Sequence, residues 1–348
     1  MLKLYTDITL LNEKNRSQVF PLLFDLYYLK NNYLNQFYSL AEKPEIADII
    51  ILPLDYGYMQ RCYKNEIKPF LNKAKELRKT IWIYSGGDFG ISLNDESIYN
   101  FRLGGFRSKF NDRTVILPSF ISDPYSTYIK ESFIPLEKEK DLSIGFVGHA
   151  KSGVLKFIKE YVGYLEISLK RFFKIEYADY QSFYPSSIKR FKYLKILQSS
   201  KELKSNFILR NRYRAGVKSQ VDKEQTTKEF YSNIYQNPYT FCMRGIGNFS
   251  VRFYETLAVG RIPVLLDTDC LLPLDKIINW EKHCVILNES EYKSLGNMVV
   301  NFHNDLSNHE FIEIQKASRK LWEDYLTRHN FFKIIHDQFV TKLNSNDS

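Results

Sequence analysis

YTFCMRGIGNFSVRFYETLAVGRIPVLLDTDCLLPLDKIINW, residues 239–280, decides the fold class of this chain. An apolar run, Tyr239 to Met243, is followed by a short polar loop and by a helix-like segment that starts near Ser250 and ends at Gly260. A second apolar run, Ile262 to Leu266, comes next. Strand, short loop, helix and strand form the unit with which α/β proteins bind phosphorylated ligands at a helix N-terminus.

Apolar runs alternate with helix-like segments over the rest of the chain, which predicts α/β domains on mostly parallel sheets. Residues 122–141 contain two prolines and alternating charges, and they are predicted to link two doubly wound domains that face a cleft. Further strands are predicted at 2–8, 47–54, 79–85, 114–120, 142–149, 173–178 and 283–288. Further helices are predicted at about 18–40, 59–77, 153–172, 222–236, 290–306 and 309–340.

The 348 residues carry a net charge of +9 and are 44% hydrophobic, which is typical of a globular protein long enough for two domains. Residues 151–228 hold eighteen Lys or Arg against seven Asp or Glu, so an anionic partner is expected there. The four cysteines show no metal-ligand spacing, and no stretch is apolar enough for a signal peptide or a membrane span. A cytoplasmic location is therefore expected, with peripheral attachment at the inner face of the membrane as an added hypothesis.

The loop and helix at 244–260 carry the chemistry of a nucleotide site. The loop glycines let the backbone approach a ligand closely, Asn248 or Ser250 can cap the helix, and the free N–H groups favour an anion. Arg252 can clamp phosphate oxygens, and Glu255, one turn later, can accept hydrogen bonds from two ribose hydroxyls. The alternative is that Arg252 and Glu255 form only a surface ion pair.

This segment resembles the C-terminal signature of the exostosin family of glycosyltransferases over about forty residues. Weaker similarity extends to the first half, whereas the membrane anchor and the extra cysteines common in animal and plant exostosins are missing. The resemblance is therefore to a compact, bacterial-type member of the family. The matching residues are Phe241-Cys242, Arg244-Gly245, Ser250, Arg252, Glu255, Gly260, Ile262-Pro263-Val264, Leu272-Pro273 and Trp280.

The resemblance implies a GT-B fold, with an acceptor domain at 1–135, a nucleotide-sugar domain at 136–308 and a helical segment at 309–348 that crosses back to the first domain. It also implies metal-independent, inverting transfer from a UDP-sugar to a glycan hydroxyl, in surface polysaccharide or glycoconjugate synthesis. The α1,3-fucosyltransferases, which use a GDP-sugar, share a similar pattern but need a Lys shortly after the Glu, and they rank second. The expected donor-binding residues are Arg210, Arg212, Arg244, Gly245, Asn248, Ser250, Val251, Arg252 and Glu255.

Two further motifs bear on the mechanism. Asp267-Thr268-Asp269 spells a pair of carboxylates that can bind a divalent cation, but it comes after the nucleotide-type helix, so no metal or other cofactor is expected. Arg210, Arg212 and Arg214 alternate along an extended segment, and the resemblance implies that such a segment faces the donor. At least one of the three, Arg210 or Arg212 first, is predicted to stabilise the leaving diphosphate, and the alternative is a solvated loop.

An inverting transfer also needs a general base. Asp88 is the first candidate because it follows a strand and two glycines, Asp55 is the second and His149 is the third. Both aspartates can instead cap helices, and His149 can instead position the donor phosphates. The expected partners are a nucleotide sugar, a glycan or lipid-linked glycan and a membrane surface, but not nucleic acid. A non-catalytic basic binding protein remains the alternative outside enzymes.

Overall fold

The computed structural model describes residues 1–211, 216 and 219–346, and it contains two parallel β-sheets. The strands of the first sheet fall within residues 2–116 and those of the second within 142–288. The strands are β1 Leu2–Tyr5, β2 Tyr38–Leu40, β3 Ile49–Ile51, β4 Thr80–Ser85, β5 Ile98–Arg102, β6 Thr114–Ile116, β7 Leu142–His149, β8 Leu203–Arg210, β9 Tyr239–Cys242, β10 Ile262–Asp267 and β11 Val285–Asn288.

Both sheets are doubly wound. The first has the strand order β2-β1-β3-β4-β5-β6 and the second β11-β10-β9-β7-β8. In each, the chain moves from an inner strand to one edge and then returns to build the sheet in the other direction, which is the Rossmann-like topology. We call β1–β6 with their helices the first domain, and β7–β11 with theirs the second domain.

Helices cover the sheets. In the part of the chain that the structure describes, no helix is both long enough and apolar enough to cross a bilayer. The helices are α1 Pro21–Leu23, α2 Tyr56–Cys62, α3 Lys64–Glu76, α4 Val154–Phe172, α5 Ser186–Ser199, α6 Gln220–Gln236, α7 Val251–Ala258, α8 Leu295–Asp305, α9 Asn308–Leu321 and α10 Arg328–Asn346.

The last helix, α10, returns to the first domain. Phe339 packs edge-on against Trp82, with 4.7 Å between the ring centroids, and the Tyr38 hydroxyl donates to the carbonyl oxygen of Phe332 at 2.7 Å. Phe331 and Phe332 are fully buried in the core of the first sheet. The predicted fold class is confirmed: two Rossmann-like domains, joined by a helix that crosses back, form the GT-B arrangement.

Two predicted elements are wrong. The helix predicted at about 18–40 is interrupted, because Lys30 has a left-handed φ of 46° and the chain then enters β2. The strand predicted at 173–178 is absent from these described residues, which form a turn and loop after α4. Phe173 and Ile175 are 65% and 60% exposed, so their side chains belong to an outer surface and not to a sheet.

Candidate functional site

The second sheet has its topological switch point between β7 and β9. From β7 the chain runs to β8 on one side, and β9, β10 and β11 lie on the other. In open parallel sheets, ligands bind beyond the carboxyl ends of the strands that flank such a point. His149 ends β7 and Arg244 follows β9, so both lie where a ligand is expected.

Arg190, on α5, spans the two strand ends at this switch point. Its guanidinium donates to the carbonyl oxygen of His149 at 2.8 Å and to that of Arg244 at 2.9 Å. Burial, and then the charge of Arg252, lower its pKa to about 10. Its Nε has no hydrogen-bond partner among the described residues. Sequence analysis missed Arg190, because nothing distinguishes it from the neighbouring lysines before the helix is placed on the sheet.

Arg252 lies in the first turn of α7 and reaches under the end of β7. Its Nη2 donates to the carbonyl oxygen of Val147 at 2.7 Å, and its guanidinium stands 4.1 Å from the centroid of the Phe146 ring. A Cβ at Gly148 would lie 2.8 Å from the same Nη2, so a side chain there would displace the guanidinium from this position. Burial lowers the pKa of Arg252, and its Nε has no partner among the described residues.

Glu255 follows one turn later on α7. Burial raises its pKa to about 7, against the opposing charge of Arg252 and a hydrogen bond from the Tyr231 hydroxyl. Tyr128 stacks on Tyr231, with 4.7 Å between the ring centroids. The described contacts include no ion pair between Arg252 and Glu255, and neither residue is exposed. The two residues therefore do not form the surface ion pair that the sequence left open.

Arg210, at the end of β8, approaches the same place from the other side. Its Nη2 donates to the carbonyl oxygen of Thr226 at 3.0 Å and pairs with Glu229 on α6. Its charge is one of the influences that lower the pKa of Arg252. Arg212 and Arg214, the other arginines of this segment, lie outside the described residues. We call Arg190, Arg210, Arg244 and Arg252 the arginine cluster.

Arg244 connects the arginine cluster to the first domain. Its Nη2 donates to Gln181 at 2.7 Å, and its guanidinium stacks 4.4 Å from the ring centroid of Tyr184. Burial lowers the pKa of Arg244, and the nearby charge of Asp88 opposes this effect. Desolvation raises the pKa of Asp88, and Arg244 opposes it in turn. Asp88 therefore lies on the first domain within electrostatic reach of the arginine cluster.

The loop between β9 and α7, which the sequence predicts to bind the nucleotide, contacts the first domain. A Cβ at Gly247 would lie 2.2 Å from the backbone oxygen of Asp88, whereas a Cβ at Gly245 would meet nothing within 4 Å. Asn248 is fully buried, and its amide donates to the carbonyl oxygens of Gly105 and Thr268, both at 2.9 Å. The side chain of Asn248 therefore bridges the domains instead of being available to a nucleotide.

The start of α7 differs from its predicted form. Ser250 occupies the N-cap position, but its side chain makes no capping hydrogen bond. Val251, the first helical residue, is 42% exposed. The predicted capping bond from Asn248 is also excluded, because the Asn248 side-chain oxygen accepts from the Thr268 hydroxyl at 2.5 Å. The helix N-terminus is therefore left without a side-chain cap.

The contrast between the two loop glycines gives a paired prediction. Gly247→Ala is expected to lower the free energy of unfolding by about 2 kcal/mol, because the new methyl group overlaps the backbone at Asp88. Gly245→Ala has open space and is expected to change it by less than about 0.5 kcal/mol. Chemical denaturation of both variants tests this, and equal effects would contradict the domain contact.

The three candidate bases differ in their surroundings. Asp55 accepts from the backbone N–H groups of Tyr58 and Gly86, both at 2.7 Å, so it caps α2 and has both oxygens engaged. The ring nitrogens of His149 contact the carbonyl oxygen of Arg210 at 3.2 Å and the Ser187 hydroxyl at 3.1 Å. Burial, then nearby cations, lower the pKa of His149.

These contacts give Asp55 and His149 structural roles, and the choice of general base stays a prediction. The carboxylate of Asp55 caps α2, and the ring of His149 contacts residues of the second domain. Asp88 keeps access to solvent beside Arg244, although the protein around its carboxyl group is dense enough to raise its pKa by desolvation, and it stays the first candidate.

A cavity of about 820 Å³ opens beyond Arg244, at the carboxyl ends of β10 and β11. Lys192 stands 3.8 Å from the ring centroid of Tyr292, and Glu289 accepts from Lys189 at 2.9 Å and from Tyr193 at 2.7 Å. The volume suits a nucleotide-sized ligand. Sequence analysis identified the basic region but none of these positions, because they meet only when α5 packs on the strand ends.

Asp267 and Asp269 contact residues of the first domain. Asp267 accepts from the backbone N–H of Cys270 at 2.8 Å and pairs with Arg107 at 3.4 Å, and Asp269 accepts from the Ser108 hydroxyl at 2.5 Å. Among the residues that the structure describes, no group of three or more His, Cys, Asp or Glu could hold a metal ion. Metal independence itself stays a prediction.

Comparison with known proteins gives one similarity in sequence. No family model matches the chain. A stretch of 111 residues is 26% identical to Exostosin-1 homolog from Caenorhabditis elegans, and it covers 31% of this chain and 27% of that protein. Over this stretch the chain is exostosin-like. The match spans well under two thirds of the length of that relative.

Several solved structures resemble the backbone structure of this chain. An alpha1,3-fucosyltransferase is 13% identical and aligns over 90% of this chain and 81% of its own, with a TM-score of 0.35. A glycosyltransferase from Rickettsia africae ESF-5 is 10% identical over 97% and 98%, with a TM-score of 0.37. The lipopolysaccharide outer core galactosyltransferase WaaB is 13% identical over 97% and 100%, with a TM-score of 0.41. These scores are low, so the fold description rests on the sheet order given above.

Proposed function

We propose that the chain is a glycosyltransferase that moves a sugar from a UDP-sugar to a hydroxyl group of a glycan. The observation that carries this proposal is the arginine cluster at the switch point of the second sheet. Burial lowers the pKa of Arg190, Arg244 and Arg252, so a bound diphosphate would relieve the cost of holding these cations together. The exostosin resemblance supports the same reaction class.

The proposed reaction is a single displacement with inversion. An oxygen of the acceptor attacks the anomeric carbon, the bond from that carbon to the diphosphate breaks, and UDP leaves with the electron pair. The acceptor proton passes to Asp88, whose raised pKa suits a general base. Charge that develops on the leaving diphosphate is stabilised by Arg252 and its neighbours.

A donor assay tests the nucleotide assignment. Calorimetry with UDP, GDP and ADP, followed by hydrolysis of UDP-sugars and GDP-fucose without acceptor, is expected to show a preference for UDP. A preference for GDP would favour the fucosyltransferase-like alternative. Equal binding of all three nucleotides, with a steep loss in salt, would favour the non-catalytic basic binding protein.

Chelation provides a separate prediction. Because guanidinium groups take the place of a divalent cation in this mechanism, we expect EDTA to leave the rate of UDP-sugar hydrolysis unchanged within about twofold. The measurement compares chelated enzyme with the same enzyme after addition of Mg²⁺ or Mn²⁺. Loss of turnover in EDTA that is restored by either ion would overturn metal independence and return Asp267 and Asp269 to consideration.

The acceptor is proposed by class only. A glycan or lipid-linked glycan of a surface polysaccharide or glycoconjugate fits the proposed reaction. The cavity lined by Arg244 gives room for such an acceptor at the edge of the arginine cluster, and three tyrosines, Tyr184, Tyr193 and Tyr292, are among its lining residues.

A further inference from the structure

Helix α4 has its apolar side turned toward solvent. Six of its apolar residues are between 51% and 85% exposed, and they share one side of the helix because they recur at helical spacing. The structure describes no residue of α4 as buried. This is the reverse of an ordinary surface helix, which turns its apolar stripe to the core. The six residues, called the apolar face below, are Val154, Leu155, Ile158, Val162, Leu169 and Phe172.

The opposite side of α4 contacts the rest of the protein. The rings of Phe157 and Tyr161 pack edge-on against Phe183, with 5.4 and 5.2 Å between the ring centroids. Arg171 donates from Nε to the carbonyl oxygen of Ala178 at 3.0 Å, and its guanidinium stands 4.8 Å from the Phe89 ring centroid. Rotating the helix to bury its apolar face would break the contacts of Arg171 and of the rings that pack on Phe183, so the outward orientation is built into the fold.

The apolar surface continues past the helix. Phe173 and Ile175, in the turn that follows α4, are 65% and 60% exposed and add to the exposed apolar surface. At about 1.5 Å per residue, the 19 residues of α4 form a rod about 28 Å long. An exposed apolar surface of this length marks a contact site for a membrane or another protein.

The charge of the segment distinguishes between a membrane and a second protein chain as the partner of the apolar face. Residues 151–176 hold six Lys or Arg and three Asp or Glu, so the segment carries a net charge of +3 (6 − 3). Lys159 and Lys174 are exposed on or just after α4, and Lys170, also exposed, pairs with Glu166 at 2.6 Å. A second copy of the chain would bring the same positive charge against this one. An anionic bilayer instead complements the lysines and accepts the apolar side chains.

We propose that α4 lies in the plane of an anionic membrane, with its apolar face in the headgroup region and its lysines on anionic lipids. The proposal does not depend on the glycosyltransferase activity. It makes the second domain the membrane-facing one, because α4 follows β7 after a loop of four residues, 150–153.

The test is vesicle flotation of the full chain with phosphatidylcholine vesicles, with and without phosphatidylglycerol, at low and high salt. Wild type is expected to float with anionic vesicles at low salt only. Leu155→Ser combined with Val162→Ser is expected to reduce binding at least about tenfold, because two exposed apolar side chains are removed. Val221→Ser changes a valine on α6 that is 75% exposed, and this matched control is expected to bind like wild type.

Light scattering after size-exclusion chromatography tests the alternative that the apolar face binds a second copy of the chain. A wild-type dimer that the α4 double variant dissociates, together with absent flotation, would overturn the proposal in favour of a second copy. Equal binding to neutral and anionic vesicles would overturn the role of the lysines. Circular dichroism checks that the variants stay folded, which is expected because the changed side chains are exposed.

Discussion

Arg252→Met should weaken UDP binding about 100-fold, or by about 3 kcal/mol. The substitution keeps an unbranched stem beside Phe146 and removes the guanidinium, which stands 4.1 Å from that ring and donates to Val147. A charge-assisted contact with the diphosphate would be lost while the packing is mostly kept. Calorimetry with UDP measures the effect, and thermal denaturation checks that the variant folds.

Two control variants make this result specific. Arg61→Ala removes an exposed arginine on α2 and is expected to leave UDP affinity unchanged. Lys192→Met removes a cation of the cavity beyond Arg244 and is expected to reduce affinity less than about threefold. A larger loss for Lys192→Met than for Arg252→Met would place the nucleotide in the cavity and contradict the assignment to α7.

Glu255→Gln should stabilise the folded protein at pH 8 by about 3 kcal/mol, since the difference between a pKa of 4.5 and one of about 7 corresponds to that free energy. The folded protein resists ionisation of this buried carboxyl group, whereas the unfolded chain does not. The stability that the neutral carboxyl group provides is fully present below pH 4.5 and is lost as the pH rises through about 7. The variant should therefore match wild type near pH 4.5 and exceed it near pH 8.

Urea denaturation at these two pH values measures the stability effect. Glu66→Gln, which changes an exposed glutamate in the first turn of α3, is the matched control and should show no comparable gain. The same Glu255 variant should bind UDP about tenfold more weakly, but it should bind 2′-deoxy-UDP about as wild type does, if the carboxylate accepts the ribose hydroxyls. A uniform loss for both nucleotides would argue against the ribose contact.

The sequence predicted the architecture where apolar runs are long and bounded by turn residues. The strands β4, β7 and β10 and the helices α3, α4 and α6 lie close to their predicted places. The strand predicted at 173–178 failed because apolar composition alone cannot tell a buried strand from an exposed apolar surface. The strands β2 and β5 were missed because Tyr38–Leu40 and Ile98–Arg102 are short and carry polar residues within them.

The candidate site could be predicted only in part. Spacing places Arg252 and Glu255 on neighbouring turns of one helix, and the structure brings both to the switch point. Arg190 joins them from a helix about sixty residues earlier, which no local pattern signals. The glycine-rich loop shows the limit most clearly, because Gly247 approaches a backbone closely, yet that backbone belongs to Asp88 of the first domain.

The contact between Gly247 and Asp88 joins a loop that leads into α7 to a loop that carries the proposed base. If the proposed nucleotide binds more tightly when the two domains are in contact, then domain contact must be favoured by the nucleotide by the same factor. We therefore expect side chains at this domain contact, such as Asn248 and Asp269, to affect nucleotide affinity without contacting the nucleotide.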